Sequence, residues 1–290
     1  MTEGQRGAIF VAPALLFILL VAFYPIIRNF WLSFLNIDLV SMGGTKYIGF
    51  KNYFKLIRDL RFIQSFENTI IFTAISVPIE FLLGLVFALT LNESFPGRRL
   101  VRAVAIIPWA LPTAVMAMAW RWIFNDMYGV FGDILVKLGA IERSPAWLGE
   151  PGLAMFAAIF ADVWKTTPFI FIILLAGLQS IPHEIYEAAS IDGATSFRRF
   201  TRVTLPLLRP SIVSALMFRS IQAFAVFDLM WVLTGGGPGG STQTISLLVY
   251  STVFRYLDLG YGAALAVVAF VCVLALAGVI SWFNKEKVEY

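Results

Sequence analysis

Cysteine and histidine are nearly absent: of 290 residues, one is cysteine (Cys272) and one is histidine (His183). A lone cysteine inside an apolar run forms no disulfide within the chain. A single histidine removes Ser-His catalysis from a deep site and leaves no His-rich metal centre. Charge is scarce as well. Asp, Glu, Lys and Arg make up 14% of the residues, against about 25% in soluble domains. The net charge of +4 is shared among the loops and forms no basic patch for nucleic acid.

What fills the chain is apolar: 59% hydrophobic residues, with a mean hydropathy of +0.81. Uncharged runs from Gly7 to Ile27, Ala103 to Trp120 and Leu259 to Asn284 approach or exceed the roughly 20 residues a helix needs to cross hydrocarbon. Three further candidates carry interior charges. They run from Asn68 to Asn92 around Glu80, Leu153 to Gln179 around Asp162 and Lys165, and Pro210 to Thr234 around Arg219 and Asp228. Backbone in lipid must satisfy itself, so the expectation is an all-α, polytopic membrane protein with six transmembrane helices and both termini on one side. Prolines fall inside several spans, at Pro13, Pro25, Pro78, Pro108, Pro112 and Pro168; each removes a donor and frees a carbonyl one turn earlier. The first run follows Arg6 as a signal peptide would, but it lacks a small-x-small cleavage site, so an uncleaved span is expected. The chain then divides into a first helix with an outer segment (1–67), a core of five helices (68–284) and a short tail (285–290).

Orientation follows from Lys and Arg. With cytoplasmic termini, Arg6, Arg98, Arg99, Arg102, Arg198, Arg199, Arg202, Arg209, Lys285 and Lys287 lie inside, ten in all. Nine lie outside, six of them between Arg28 and Arg61; without that segment the balance is ten against three, which leans toward cytoplasmic termini. Two loop segments read as short amphipathic helices: Tyr47 to Phe62, with Phe50, Tyr53, Phe54 and Ile57 at helical spacing, and Asp126 to Ala140. "LTGGGPGGSTQT" (Leu233 to Thr244) is a loop on composition. Its Gly235, Gly240, Ser241 and Thr242 imitate a phosphate-binding loop, but the lysine is missing and no strand precedes it. No nucleotide site on this chain is expected.

The segment "EAASIDGATSFRRFTRVTLP" (Glu187 to Pro206) stands between two spans. "PHEIYEAASID" reads as a short helix, with Pro182 at its start and Glu184 and Glu187 where the helix dipole favours anions. Gly193 is a good stop, and Thr195 or Ser196 can cap a second helix. Ala188 and Ala189 offer a flat surface for close approach, and Arg198, Arg199 and Arg202 suit anionic headgroups. The spacing of Glu187-Ala188-Ala189, Gly193 and Val203-Thr204-Leu205-Pro206 resembles the EAA---G---------I-LP loop of membrane subunits of binding-protein-dependent ABC importers, with valine in place of the usual isoleucine.

The resemblance runs over nearly the whole chain. "YPIIRNFWLSF", "YIGFKNYFKLIRDLRF", "PWALPTAVMAMAWRWIF", "DVWKTTPFIFIILLAGLQSIP", "VLTGGGP" and "GYGAALAV" look like the maltose and glycerol-phosphate class of sugar permeases. "LTGGGP" and "FKNY" are similar to the first of the two permeases in such systems. The resemblance implies a type I importer permease fold in the cell membrane with cytoplasmic termini. It also implies a second homologous permease, two ATPase subunits that use ATP and Mg, and an external sugar-binding protein. This chain itself would bind no cofactor and have no enzyme activity. Glu187, Ala188, Ala189, Asp192, Gly193, Leu205 and Pro206 are then the ATPase-coupling residues.

Charges at bilayer depth are functional candidates by default. At about 1.5 Å per residue, Glu80 and Lys165 fall roughly 18 Å into their spans and Arg219 roughly 14 Å. Asp162, Lys165, Thr166 and Phe169 share one helical face, and Pro168 frees the carbonyl of Trp164. A polar face, a ring and a freed carbonyl suit a sugar, and the resemblance implies sugar contacts at Lys165, Thr166 and Phe169. The alternative is that Asp162 and Lys165 neutralise each other, and that Glu80 pairs with a neighbouring helix. On a continuous helix Arg219 and Gln222 face together while Asp228 is about 180° away. The resemblance implies contacts on this helix too, but Ala223 and Val226 stand where polar side chains are wanted. Trp109, Thr113 and Trp120 are candidates for the third span's contribution. A disaccharide or oligosaccharide of maltose or trehalose type is the expected solute, with Lys165 or Arg219 suiting an anionic one. An ion-driven secondary carrier or channel working through Glu80, Asp162 and Asp228 would need inverted repeats, and none is evident. An intramembrane enzyme has little here to build from.

Overall fold

A computed structural model describes residues 3–39 and 44–282. In chain order the helices are α1 (Glu3–Ile18), α2 (Tyr24–Leu32), α3 (Lys51–Arg58), α4 (Leu60–Asn92), α5 (Arg98–Ala110), α6 (Thr113–Ile123), α7 (Val130–Lys137), α8 (Pro151–Gln179), α9 (His183–Ile191), α10 (Ser196–Arg199), α11 (Leu205–Phe224), α12 (Asp228–Leu233), α13 (Ile245–Tyr250) and α14 (Leu259–Trp282). Wider π turns join α1 to α2 (Leu19–Phe23) and α10 to α11 (Phe200–Thr204), and another follows α13 (Ser251–Arg255). The all-α expectation holds, apart from one two-residue antiparallel pairing of β1 (Leu35–Asn36) with β2 (Lys46–Tyr47). The tail 285–290 lies outside the described residues.

Among the described residues, four helical stretches are long and apolar enough to cross a bilayer: Phe10–Leu32, α4, α8 and α14. The expected third span is not continuous. Pro112 cannot carry the α5 ladder forward, and the residue before it, Leu111, turns to the extended region (φ −72°, ψ 137°) as a residue before proline prefers. α5 and α6 meet at 91°; counted as one span they make a fifth. The expected sixth, Pro210 to Thr234, differs in both directions. Its helix α11 begins earlier, at Leu205, and ends at Phe224, before a break that separates it from α12. α4 also starts eight residues before the expected Asn68.

Packing groups the described residues into two compact units: those within 3–63 and 248–271, and those within 64–247 and 272–282. In the first unit, buried Asn52 of α3 donates to the carbonyls of Ser33 and Leu35 at 2.9 and 3.0 Å. Phe50, Phe54 and Ile57 stay exposed on the other face of α3, as an interfacial helix requires. Asp59 accepts from the Arg61 guanidinium at 3.0 Å and from the Tyr261 hydroxyl at 2.9 Å. Burial pushes its carboxyl upward, but these bonds outweigh it and hold the group below its ordinary value.

The second unit is built on α4, α8 and α11. Ala88, Ile170, Phe171, Leu174, Leu178, Leu208 and Ala215 form its apolar core. Glycine sets the approach of the helices, as small residues do in membrane interfaces. A Cβ on Gly84 would lie 2.8 Å from the Ile170 side chain, and one on Gly177 would overlap Ser211. A satellite cluster of Phe124, Trp147 and Ala157 gathers Trp120, Phe131 and Leu153 around it. α7 falls within the expected short helix at 126–140, and residues 234–244 form the expected loop, its Gly240 and Gln243 carbonyls held by Asn68 at 2.8 and 3.0 Å.

Candidate transport cavity and coupling elbow

Two helix breaks define the site. α5 stops at Ala110, leaving its last carbonyls without ladder partners, and Lys165 of α8 donates its ammonium to one of them, Trp109 O, at 3.3 Å. α11 stops at Phe224, and Thr244 Oγ1 donates to the nearby Val226 carbonyl at 3.0 Å. Broken helices of this kind are tolerated at membrane depth where they line a cavity. Here they line one of about 260 Å³, whose walls are Trp109, Thr113, Asp162, Lys165, Thr166, Arg219, Gln222 and residues 225–229.

Six of the eight residues expected along a substrate path therefore share one cavity: Asp162, Lys165, Thr166, Arg219, Gln222 and Asp228. Asp228 corrects the helical-wheel reading. A continuous helix would point it away from Arg219, but the chain leaves helical geometry at 225–227 and α12 starts afresh at Asp228. The other two stand behind the wall. Phe169 stacks on Trp109 with ring centroids 6.1 Å apart. Glu80, wholly buried, pairs with Arg219 through both guanidinium and carboxylate edges.

Arg219 also bonds Asp162. The expected alternative pairing of Asp162 with Lys165 is thus replaced: Asp162 serves Arg219, and Lys165 serves the end of α5. Thr166 Oγ1 donates to the Asp162 carbonyl at 2.6 Å, leaving its oxygen able to accept. Of the third-span candidates, Trp109 and Thr113 line the cavity. Trp120 does not; it packs against Phe124, Phe160 and Trp164. The reading of isolated spans missed the Glu80–Arg219–Asp162 cluster as a unit, though three opposed charges at similar depth in three helices were the available signal.

The second feature is the elbow after α8. Pro182 precedes α9, whose acidic first turn carries Glu184. Glu187 bonds His183 at 3.0 Å on the open surface. Gly193 ends the helix with φ 73°, the left-handed geometry that glycine takes without penalty. Thr195 caps α10 by accepting from the Arg198 amide, as the sequence indicated. From Ser196 the chain stays helical through the π turn into α11, so Leu205 and Pro206 sit inside one continuous rod. The elbow is braced to that rod: Arg199 donates to Ser190 at 2.9 Å, and Tyr186 and Thr204 share a hydroxyl bond of 3.3 Å. Ala188 and Asp192 are exposed and Ala189 is half-buried. Ile191 and Phe197 leave 87% and 75% of their surface open.

The comparisons agree with one another. The family model described as "binding-protein-dependent transport system inner membrane component" matches residues 80–287. The chain is 45% identical to the trehalose/maltose transport system permease protein MalF of Thermococcus litoralis, over 94% of this chain and 91% of that protein. It is 41% identical to the sulfoquinovosyl glycerol transport system permease protein SmoG of Agrobacterium fabrum, over 94% and 90%. The trehalose transport system permease protein SugA of Mycobacterium tuberculosis is 36% identical over 96% and 88%. Among solved structures, a bacterial alginate ABC transporter in complex with a pentasaccharide-bound periplasmic protein has a chain superimposing with a TM-score of 0.83 at 22% identity, covering 98% of this chain and 95% of that one. The fold is that of a type I ABC importer permease, and the chain belongs to the family of inner membrane components of binding-protein-dependent transport systems.

Proposed function

We propose that this chain is one of two permease subunits of an ATP-driven saccharide importer, and that the cavity bounded by the α5–α6 and α11–α12 breaks is its half of the path. Asp162, Lys165, Thr166, Gln222 and Asp228 face the solute, Trp109 offers a ring face, and Glu80 and Arg219 hold the wall. A volume of about 260 Å³ is just below the usual range of small-molecule sites, roughly 300–1,000 Å³, as suits half of a pathway completed by a second subunit. The core domain corresponds to 68–284, preceded by the first helix and outer segment, and both termini are cytoplasmic.

The observation that carries the coupling role is the elbow. Two short helices, one ending at exposed Ile191 and the next carrying exposed Phe197, braced to α11, have the form of a lever with its contact face unfilled. α11 carries Arg219, so force on α9 reaches the cavity through one rod. Two partner ATPases supply that force, using ATP and Mg that this chain does not bind, and an external binding protein delivers the sugar. Closure of the ATPases shifts the permease only through a contact that differs between its two states; taking it from 1:99 to 99:1 needs about 5.5 kcal/mol.

Site-specific crosslinkers at Ala189 test this in membranes containing the whole importer. Capture of a nucleotide-hydrolysing subunit is the expected result. Uptake against a gradient by the purified chain alone in vesicles would instead favour an ion-driven carrier and end the proposal.

A further inference from the structure

Relatives of this chain carry names on both sides of one question: some transport neutral disaccharides, one a sulfonated glycoside. The cavity decides which this chain suits. Two cations line it, and both are already committed to the protein. Arg219, only 2% exposed, is held by Glu80 on one edge and Asp162 on another. Lys165 caps the open end of α5 at the Trp109 carbonyl, where the negative pole of a helix attracts a cation. Asp228 stands in the same wall, and among the described residues no cation lies within ion-pair distance of it.

The lining sets two carboxylates (Asp162, Asp228) against two cations, a formal balance of zero, and the Glu80 carboxyl behind it is spent on Arg219. We infer that the cavity admits uncharged saccharides and discriminates against anionic ones. A phosphate, sulfonate or carboxylate entering it would meet no surplus positive charge, and would find Arg219 already held by two carboxylates. Drawing Arg219 away from them would leave buried carboxylates unpaired. A neutral sugar disturbs none of this. Its hydroxyls can donate to Asp228, accept from the remaining Lys165 protons and pair with Gln222 and Thr166, while its apolar face meets Trp109.

This inference rests on the cavity being the saccharide path, and the experiment separates the two. The assembled importer, without its binding protein, is placed in lipid nanodiscs, and equilibrium binding of labelled trehalose and trehalose 6-phosphate is compared. Trehalose should bind at least about tenfold tighter, which corresponds to about 1.4 kcal/mol. Gln222→Lys and Asp228→Asn both alter exposed side chains and raise the cavity charge by one, so each should narrow that ratio threefold or more. Exclusion by size alone would not move with charge. Equal or tighter binding of the phosphate in the unaltered protein, or a ratio unmoved in both variants, overturns the inference. If neither sugar binds while ATP-dependent uptake persists, the cavity is not the path and the inference falls, with the importer reading intact. Loss of that reading has its own signature: no ATP-dependent saccharide uptake by the intact assembly.

Discussion

The elbow and the charge cluster break opposite rules of residue placement. At the elbow, Ile191 and Phe197 lie in the open, where apolar side chains gain nothing. In the cluster, Glu80, Asp162 and Arg219 lie buried at membrane depth, where charge is costly. The first cost is removed when another protein covers the surface; the second is offset within the chain by mutual pairing. On the proposed reading one region is built for a partner and the other for a fixed internal geometry, and α11 connects them. Exceptions to ordinary placement are where function is expected to sit.

The largest effect should come from Gly193→Pro. Proline locks φ near −65°, whereas Gly193 sits at +73° and donates its amide to Ser190 O at 3.1 Å. The turn between α9 and α10 would be lost and with it the lever. ATP-driven uptake should fall to background while the protein still inserts, as read by membrane fractionation and transport in the same cells. Normal uptake would show that the elbow transmits nothing.

Arg219→Met should act in the opposite way, on stability first. Deleting one partner of a buried pair typically costs about 3–5 kcal/mol, whereas exchanging all members for apolar or neutral groups is often close to neutral. The single variant should melt well below the parent in detergent, and the triple variant Glu80→Gln, Asp162→Asn, Arg219→Met should recover most of the loss. A single variant as stable as the parent would mean the cluster is solvated and the contrast with the elbow is false.

Gly84→Ala tests the frame one turn from Glu80. Its added methyl would meet Ile170 at 2.8 Å and the Phe171 backbone at 3.2 Å, and such overpacking costs about 1–3 kcal/mol. The ion cluster should loosen with it, because Glu80 and Gly84 lie on the same buried face of α4. Reduced melting temperature with elbow crosslinking unchanged would sharpen the separation of the two regions; no change in melting would place the helices further apart than they are here.

Much of this was legible in the sequence for a physical reason: local chemistry decided it. The start and stop of α9 followed from Pro182 and Gly193, the cap from Thr195, and the buried charges from their isolation in apolar runs. What was illegible depended on contacts between segments. Pro108 and Pro112 both interrupt the third span, yet one sits inside α5 and the other ends it; a proline's local effect is the same until packing chooses. The break at 225–227 contains no proline at all, so the helical wheel misplaced Asp228. Pair choice was equally hidden, since Asp162 had Lys165 three residues away and took Arg219, 57 residues on.

The smallest effect is expected outside both regions, at Asp59, which serves as their control. Its carboxyl is held below the ordinary value by Arg61 and Tyr261 against an opposing push from burial. A carboxylate depressed in the fold adds stability above its unfolded value, near 3.9, and loses it as pH falls through the folded value. Asp59→Asn keeps one acceptor for these donors but removes the titration. Between about pH 6 and pH 3 the parent should therefore lose more thermal stability than the variant, with the difference confined to the acid end and no change in uptake at neutral pH. Parallel melting curves across that range would mean that solvent already screens the Arg61 contact, as it does for most exposed pairs.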